Sequence, residues 1–262
     1  MAKFVTLFSS SGGNSYYIGA SGQGVLIDAG RSCKQLESAM MSNNLDMRTV
    51  RAIFITHEHS DHTSGLRVLA ARYGINVYAS EGTLSALLED GKLDSRFSAD
   101  VITSAVTVGD MLIERFDTPH DARESCAYRV TTADGRKSMV ATDMGVMLPS
   151  IRNAISECDM AVVESNHDVN MLLSGSYPYP LKRRILSDRG HLSNIACAEE
   201  LPHFVRSGMR RIVLGHLSGE NNTPDVAYMT ALCALKEAGL KEGEDFTLEV
   251  APRETNGKAI IF

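Results

Sequence analysis

The run Thr56-His57-Glu58-His59-Ser60-Asp61-His62 constrains this chain more than any other stretch, because it packs four potential metal ligands into the six residues from His57 to His62. The residues before it, VRAIFIT, are rich in β-branched and aromatic side chains and read as a buried strand ending at His57. The residues after it, Thr63 to Tyr73, have helical spacing and stop at Gly74. The ligands therefore sit at a strand-to-helix junction. Neutral imidazoles with carboxylates suit zinc, manganese or iron. A linear segment cannot wrap one tetrahedral ion with all of these groups, so two ions are needed, or one ion completed from elsewhere in the chain.

Three later residues share the same setting. His120 follows LIERFDTP, Asp143 follows SMVAT and His216 follows RRIVLG, each after an apolar run and before a turn. Alone, each has an ordinary explanation as a capping Asp or a surface His. With the cluster they complete a ligand set.

The rest of the chain supplies a frame for them. KFVTLF, YYIGA and GVLIDAG read as strands, INVYAS as a strand and EGTLSALLED as a helix. From about Val101 strands follow one another, with a hairpin turn at Asp134-Gly135. PSIRNAISEC reads as a helix opening with proline, DMAVVES and RRIVLGH as strands, and SNIACAEELPHFVRSG as a helix interrupted near Pro202. Thr223 and Pro224 are the N-cap and first residue of a final helix. No linker or repeat divides the sequence. The expectation is one α/β domain over 1–262, with mixed sheets, helices packed outside and two halves meeting near residue 110.

Composition narrows the partners. A net charge of −6 argues against bulk attraction to nucleic acid, although Lys182, Arg183, Arg184 and Arg189 lie close together, as do Arg206, Arg210 and Arg211. Solvated helix faces explain any one of these equally well. No run approaches the roughly 20 apolar residues of a membrane span, and MAKFVTLFSSSGG is not a secretory signal. Five scattered cysteines suggest neither a disulfide framework nor a zinc ribbon, which fits a reducing cytoplasm.

Asp28 in LIDAG, the cluster THEHSDH, His120, Asp143 in ATDMG and His216 together resemble the five ordered motifs of the metallo-β-lactamase superfamily, over nearly the whole chain. The resemblance implies an αββα four-layer sandwich of two mixed sheets flanked by helices. It also implies a dinuclear site: His57, His59 and His120 on one divalent ion, Asp61, His62 and His216 on the other, and Asp143 bridging. Asp28 would orient a ligand without touching an ion. An Asp at the fourth motif is similar to the hydrolases of phosphodiesters and thioesters rather than to the lactamases proper.

FSSSGGNSYYI, ESNHD, GSYP, LKRRI, GHLSN and LGHLSGENNTP resemble the YycJ/WalJ-like branch of that superfamily, described as DNA exonucleases. Gly190-His191-Leu192-Ser193 and Glu164 are similar to a ribonuclease Z pattern in which the His donates a proton and the Glu orients it. The catalytic set so implied is Asp61, His191 and Glu164. A helix beginning near Ser193 would attract a phosphate, and His191 there could protonate a leaving oxygen; Ser193 as a plain helix cap and His191 as a loop residue is the ordinary alternative. His167 is placed as a support for the site or a substrate contact, with Ser193 beside it. The expectation is metal-assisted hydrolysis of DNA rather than RNA, with Zn2+ or Mn2+ and with iron accommodated. The substrate would lie on an open surface or in the groove of a homodimer. Two rival readings remain: a thioesterase of the glyoxalase II type, and a non-hydrolytic di-iron redox or sensor protein.

Overall fold

β-Branched and aromatic residues alternate with Gly- and Ser-rich turns over the first 27 positions, and three strands form there: β1 (Lys3–Ser10), β2 (Gly13–Ala20) and β3 (Gln23–Ile27). The β2–β3 turn is set by Ser21 and Gly22, both at positive φ (52° and 81°), the backbone that matches strand twist in a two-residue hairpin. The computed structural model describes residues Met1–Phe262. Ser32 caps α1 (Cys33–Ser42), after which come β4 (Val50–Phe54), α2 (Ser60–Thr63), α3 (Leu66–Tyr73), β5 (Asn76–Ala79), α4 (Glu81–Glu89) and β6 (Ala99–Val101).

Strands then succeed one another as the sequence suggests: β7 (Ala105–Val108), β8 (Met111–Asp117), β9 (Cys126–Thr131) and β10 (Lys137–Ala141). Gly135, at φ 80°, turns the chain between the last two. The remainder is α5 (Pro149–Ser156), β11 (Met160–Glu164), α6 (Val169–Ser174), α7 (Tyr179–Ile185), α8 (Asn194–Arg206), β12 (Arg211–Gly215), α9 (Pro224–Glu237), β13 (Thr247–Val250) and β14 (Ile260–Ile261).

Two seven-stranded sheets result, in the orders β14-β1-β2-β3-β4-β5-β6 and β13-β12-β11-β10-β9-β8-β7. Both are mixed. In the first, β1–β2 and β2–β3 are antiparallel, while β3 through β6 run parallel. In the second, β10 through β13 are parallel and β7–β8 is antiparallel. β14 closes the outer edge of β1, with Ile261 opposite Lys3 and Ile260 opposite Phe4. Thr255 N–H adds a bond to the Leu7 carbonyl (2.9 Å).

The chain divides into two compact units, residues 1–116, 122–136 and 252–262 in one and 117–121 and 137–251 in the other, rather than at a single seam near residue 110. In the first, Val5, Leu7, Leu26 and Ile53 of the sheet join Leu36 and Met40 of α1 and Leu66 and Leu69 of α3 in one buried cluster. In the second, α8 buries Cys197, Leu201, Phe204 and Val205, and α9 buries Ala227, Ala231 and Leu235.

Two helices depart from expectation. The segment Thr63 to Tyr73 is not one helix but α2 and α3, broken at Ser64 and Gly65. Gly65 donates its N–H to the Ala29 carbonyl (2.9 Å), and a Cβ there would lie 1.9 Å from the Arg31 carbonyl oxygen, so the chain leaves the helix to dock. The helix α8, in contrast, runs through Pro202 unbroken. A proline inside a helix costs about 3 kcal/mol, but Leu201, Phe204 and Val205 are all buried beside it, each contributing roughly 1.5–3 kcal/mol.

Candidate metal centre

Asp28 and every residue of the expected ligand set lie just beyond the C-terminal end of a strand, or at the start of the helix that follows. Asp28 follows β3, His57 follows β4, His120 follows β8, Asp143 follows β10 and His216 follows β12. Three of them, Asp28 (φ 63°), Asp143 (φ 59°) and His216 (φ 54°), are non-glycine residues in the left-handed region. Such backbone is costly and persists only where its surroundings impose it, which is characteristic of functional sites.

In the first unit Asp28 is fully buried. Its carboxylate accepts Thr56 N–H (2.9 Å), the Thr56 hydroxyl (2.9 and 3.1 Å) and His62 Nδ1–H (2.7 Å). Burial pushes its carboxyl above the ordinary value, opposed by His62 and Thr56. Asn14 Nδ2 lies 3.1 Å from His62 Nε2 and 3.4 Å from Asp61 Oδ2. The Asp28 and Asn14 contacts agree on one tautomer: His62 carries its proton on Nδ1, and its Nε2 lone pair faces Asn14. His57 Nε2 and His59 Nδ1 approach within 3.0 Å, and the His57 and His62 ring centroids are 4.1 Å apart. Asp61 is the most accessible carboxylate of this group, its side chain 23% exposed.

In the second unit Glu164 is the buried hub. Oε1 accepts Nδ1–H of His191 (2.8 Å) and of His216 (2.9 Å), and Oε2 accepts the backbone N–H of Met144 (2.9 Å) and Leu192 (3.2 Å). Burial alone would raise this carboxyl, yet His191 and His216 hold it well below the carboxylate range. Both imidazoles are thereby left with Nε2 free of the carboxylate. His120 donates Nδ1–H to the Gly190 carbonyl (3.0 Å), again reserving Nε2, and desolvation keeps it neutral by lowering its pKa. Asp143 Oδ1 lies 3.3 Å from His216 Nδ1 and 3.9 Å from His120 Nε2.

The donors fit divalent cations: His62, His120 and His216 are each locked by an Nδ1–H bond to an oxygen that accepts only, which is how proteins orient metal-binding imidazoles, and carboxylates stand beside them. Asp143, Glu164, His191 and His216 bring ligand atoms within 4.8 Å of one another. Oε1 of Glu164 and Nδ1 of His191 in that group already bond each other, so they orient rather than ligate.

His167 is 1% exposed, and burial lowers its pKa to about 4. Its carbonyl accepts Asn194 N–H (2.9 Å) where a bridge joins it to Ser193, the N-cap of α8.

Sequence reasoning missed the polar scaffold under the second group. Asn222 Nδ2 donates to the carbonyls of Ser165 (2.9 Å) and Asn166 (3.0 Å) and contacts Asn194 Oδ1 (2.8 Å), while Asn194 Nδ2 donates to Asn222 Oδ1 (2.9 Å). Asn166 Nδ2 holds the His216 carbonyl (2.9 Å), and Ser218 N–H returns to the Asn166 carbonyl (2.7 Å). Asn14 and Thr56 were likewise missed as supports. A buried Asn and a loop Asn look the same in one sequence, and only Thr56, adjoining the histidine cluster, carried a signal.

Residues 23–217 match the beta-lactamase superfamily domain. The chain is 40% identical over 248 residues to the exodeoxyribonuclease WalJ of Streptococcus pneumoniae, covering 93% of this chain and 92% of that protein. It is 38% identical over 248 residues to the exodeoxyribonuclease YycJ of Bacillus anthracis, covering 94% and 93%. Its fold is similar to that of the metallo-beta-lactamase fold protein YhfI of Bacillus subtilis, with a TM-score of 0.73, 15% identity and coverage of 99% and 98%. The architecture is thus the αββα sandwich of two mixed sheets flanked by helices, and the chain belongs to the beta-lactamase superfamily, as a relative of WalJ and YycJ.

Proposed function

We propose that this chain is a metal-dependent phosphodiester hydrolase that acts as an exonuclease on DNA. The observation that carries the reading is the Glu164 hub, which fixes His191 and His216 through their Nδ1 atoms at 2.8 and 2.9 Å, in a chain 40% identical to an exodeoxyribonuclease.

In this reading His57, His59, Asp61 and His62 of the first unit and His120, Asp143 and His216 of the second would be the residues that hold two divalent ions. Two divalent ions, Zn2+ or Mn2+, would supply Lewis acidity, lowering the pKa of water and neutralising charge that develops on the phosphate. The remaining work falls to side chains. Asp28 holds His62 and Thr56 in register. Glu164 anchors His191 by accepting its Nδ1–H, so that a ring also protonated on Nε2 would pass that second proton to the departing oxygen and be left neutral. The α8 N-terminus behind Ser193 favours a phosphate oxygen nearby. His167, too buried to meet substrate, supports that turn through its backbone. Five cysteines outside any disulfide suit a reducing cytoplasm, and no helix is long and apolar enough to cross a membrane.

The test is cleavage of 5′-labelled single- and double-stranded DNA and RNA, with Zn2+ or Mn2+, by the wild type, Asp61→Ala and His191→Ala. The expected result is metal-dependent loss of label in the wild type only. His191→Ala should retain its metal content while turnover falls roughly 100-fold or more. Unchanged turnover in His191→Ala removes its role, and hydrolysis of a thioester with no nucleic acid cut removes the nuclease assignment.

A further inference from the structure

In the first unit Arg48, Arg72, Arg96 and Arg115 each hold a carboxylate. Arg31, three residues beyond Asp28, holds none, and its side chain makes no hydrogen bond. It is nevertheless held still. Its guanidinium carbon sits 5.6 Å from the centroid of the Phe8 ring, a cation–π contact. The turn between β1 and β2 closes on the same side chain. A Cβ on Gly12 would lie 3.2 Å from Nη2, and one on Gly13 would lie 2.6 Å from Nε and 2.7 Å from the Gly30 carbonyl oxygen. Nε is buried there without a partner, while the residue as a whole is only half-buried.

The same backbone contacts bring Arg31 to the candidate ligands. Gly30 donates its N–H to the Asn14 carbonyl (2.8 Å), and its own carbonyl accepts the Ser64 hydroxyl (2.7 Å). A Cβ on Gly30 would lie 1.8 Å from the Asp61 carbonyl oxygen, so this residue packs flat against the ligand segment. Gly13, which adjoins the guanidinium, is followed by Asn14, whose Nδ2 lies 3.4 Å from Asp61 Oδ2 and 3.1 Å from His62 Nε2. Arg31 is thus one residue removed, on each of two strands of contact, from the candidate ligand Asp61. The chain then enters α1 at Ser32, and the first turn of that helix holds no acidic residue. The helix end adds positive potential beside the guanidinium.

A protein of net charge −6, with carboxylates among its candidate ligands, repels a polyanion unless local cations offset them. A guanidinium presents its N–H groups in a rigid plane that matches phosphate oxygens, and one already immobilised loses little freedom on binding. Were Arg31 only a packing element, a neutral side chain would cover Phe8 without the cost of a half-buried charge that nothing balances. We propose that Arg31 is a phosphate clamp, whose outer N–H groups grip a phosphate of the DNA bound beside Asp61. This rests on the nuclease reading and adds a residue that holds the substrate in place.

The test compares full-length, metal-loaded wild type with Arg31→Met, which keeps the stem and removes the charge, and with Arg31→Lys, which keeps the charge. The probes are 3′-fluorescein-labelled DNA 20-mers, single-stranded and duplex, each ending in a 5′-phosphate or a 5′-hydroxyl, followed by anisotropy and by cleavage. On whichever form the wild type binds, Arg31→Met should weaken binding roughly 10-fold or more and raise KM more than it lowers kcat. Bound metal and the urea midpoint of chelated protein should match the wild type. The salt slope should shrink by about 0.9 on duplex or about 0.7 on a single strand. Arg31→Lys should restore the slope and part of the affinity, since an ammonium offers a point charge in place of the planar fork. A loss equal on both ends places the gripped phosphate within the strand, and a loss confined to phosphorylated DNA makes it the terminal one. Wild-type binding by Arg31→Met overturns the proposal, as does a Lys variant with the slope of the Met variant, or a loss of bound metal that accounts for the loss of binding. If the wild type cuts no DNA yet binds it through Arg31, the nuclease reading falls and the phosphate contact stands.

Discussion

At the scale of single residues the site depends on groups that touch no substrate. Asp28 is the clearest. It is completely buried and accepts from both the Thr56 backbone and the His62 ring. Asp28→Ala would release His62 from its tautomer and leave Thr56 N–H without an acceptor, so metal affinity should fall about 10- to 100-fold. Competition with a chromophoric chelator measures it, and unaltered affinity would show that His62 is held by other means. His167 makes a prediction in pH. Its pKa in the folded protein is about 4, below the ordinary histidine value of about 6.5. The unfolded chain therefore takes up a proton first as pH falls. The contribution of His167 is fully present above about pH 6.5 and is lost towards pH 4, by roughly 2 kcal/mol between pH 6.5 and 5. Urea melts of chelated protein should show that slope in the wild type and a shallower one in His167→Phe.

At the scale of elements, the asparagine lattice joins the end of β11, the start of α8 and the loop before α9. Asn222→Ala would strip partners from two carbonyls and from Asn194 at once. A loss of about 3 kcal/mol follows from several buried polar groups left unsatisfied, read as a lower urea midpoint at constant slope. Much of this level was legible in the sequence where short-range chemistry decides. Thr223 and Pro224 begin α9, Pro149 opens α5 and α3 stops at Gly74, as expected; the left-handed backbone of Gly74 is what the structure adds. The candidate ligands stood out because a strand, then a polar residue with few structural uses, repeats along the chain. What stayed hidden was set by contacts distant in sequence. Gly65 breaks a helix because of Arg31, and Pro202 breaks none because its neighbours are buried. Asn166 supports His216 across 50 residues. The short helices α6 and α7 also escaped notice, being too brief for periodicity to register.

At the scale of the molecule, the proposed centre predicts a strong coupling of folding to metal. Ligands that bind ions only when folded stabilise the native state by about 4 kcal/mol at a free ion concentration a thousandfold above Kd. For a chain of this size that is roughly 10 °C in Tm. A chelator should lower Tm by that order, followed by far-UV circular dichroism since the protein contains no tryptophan. An unmoved Tm would argue against a tightly held centre.

The short strand β14 has a consequence for how the molecule is made. It covers the outer edge of β1, and the pairs Lys3 with Ile261 and Phe4 with Ile260 join positions more than 250 residues apart. At about 5–20 residues per second, a ribosome needs roughly 10–50 s to deliver the second member of each pair after the first. Throughout that interval β1, almost wholly buried in the folded protein, presents unpaired amide groups along its outer edge, as exposed sheet edges do when they recruit foreign strands. The nascent chain is therefore vulnerable at β1 until β14 arrives, and a chaperone that shelters Lys3–Ser10 would raise yield more than one acting on the finished protein.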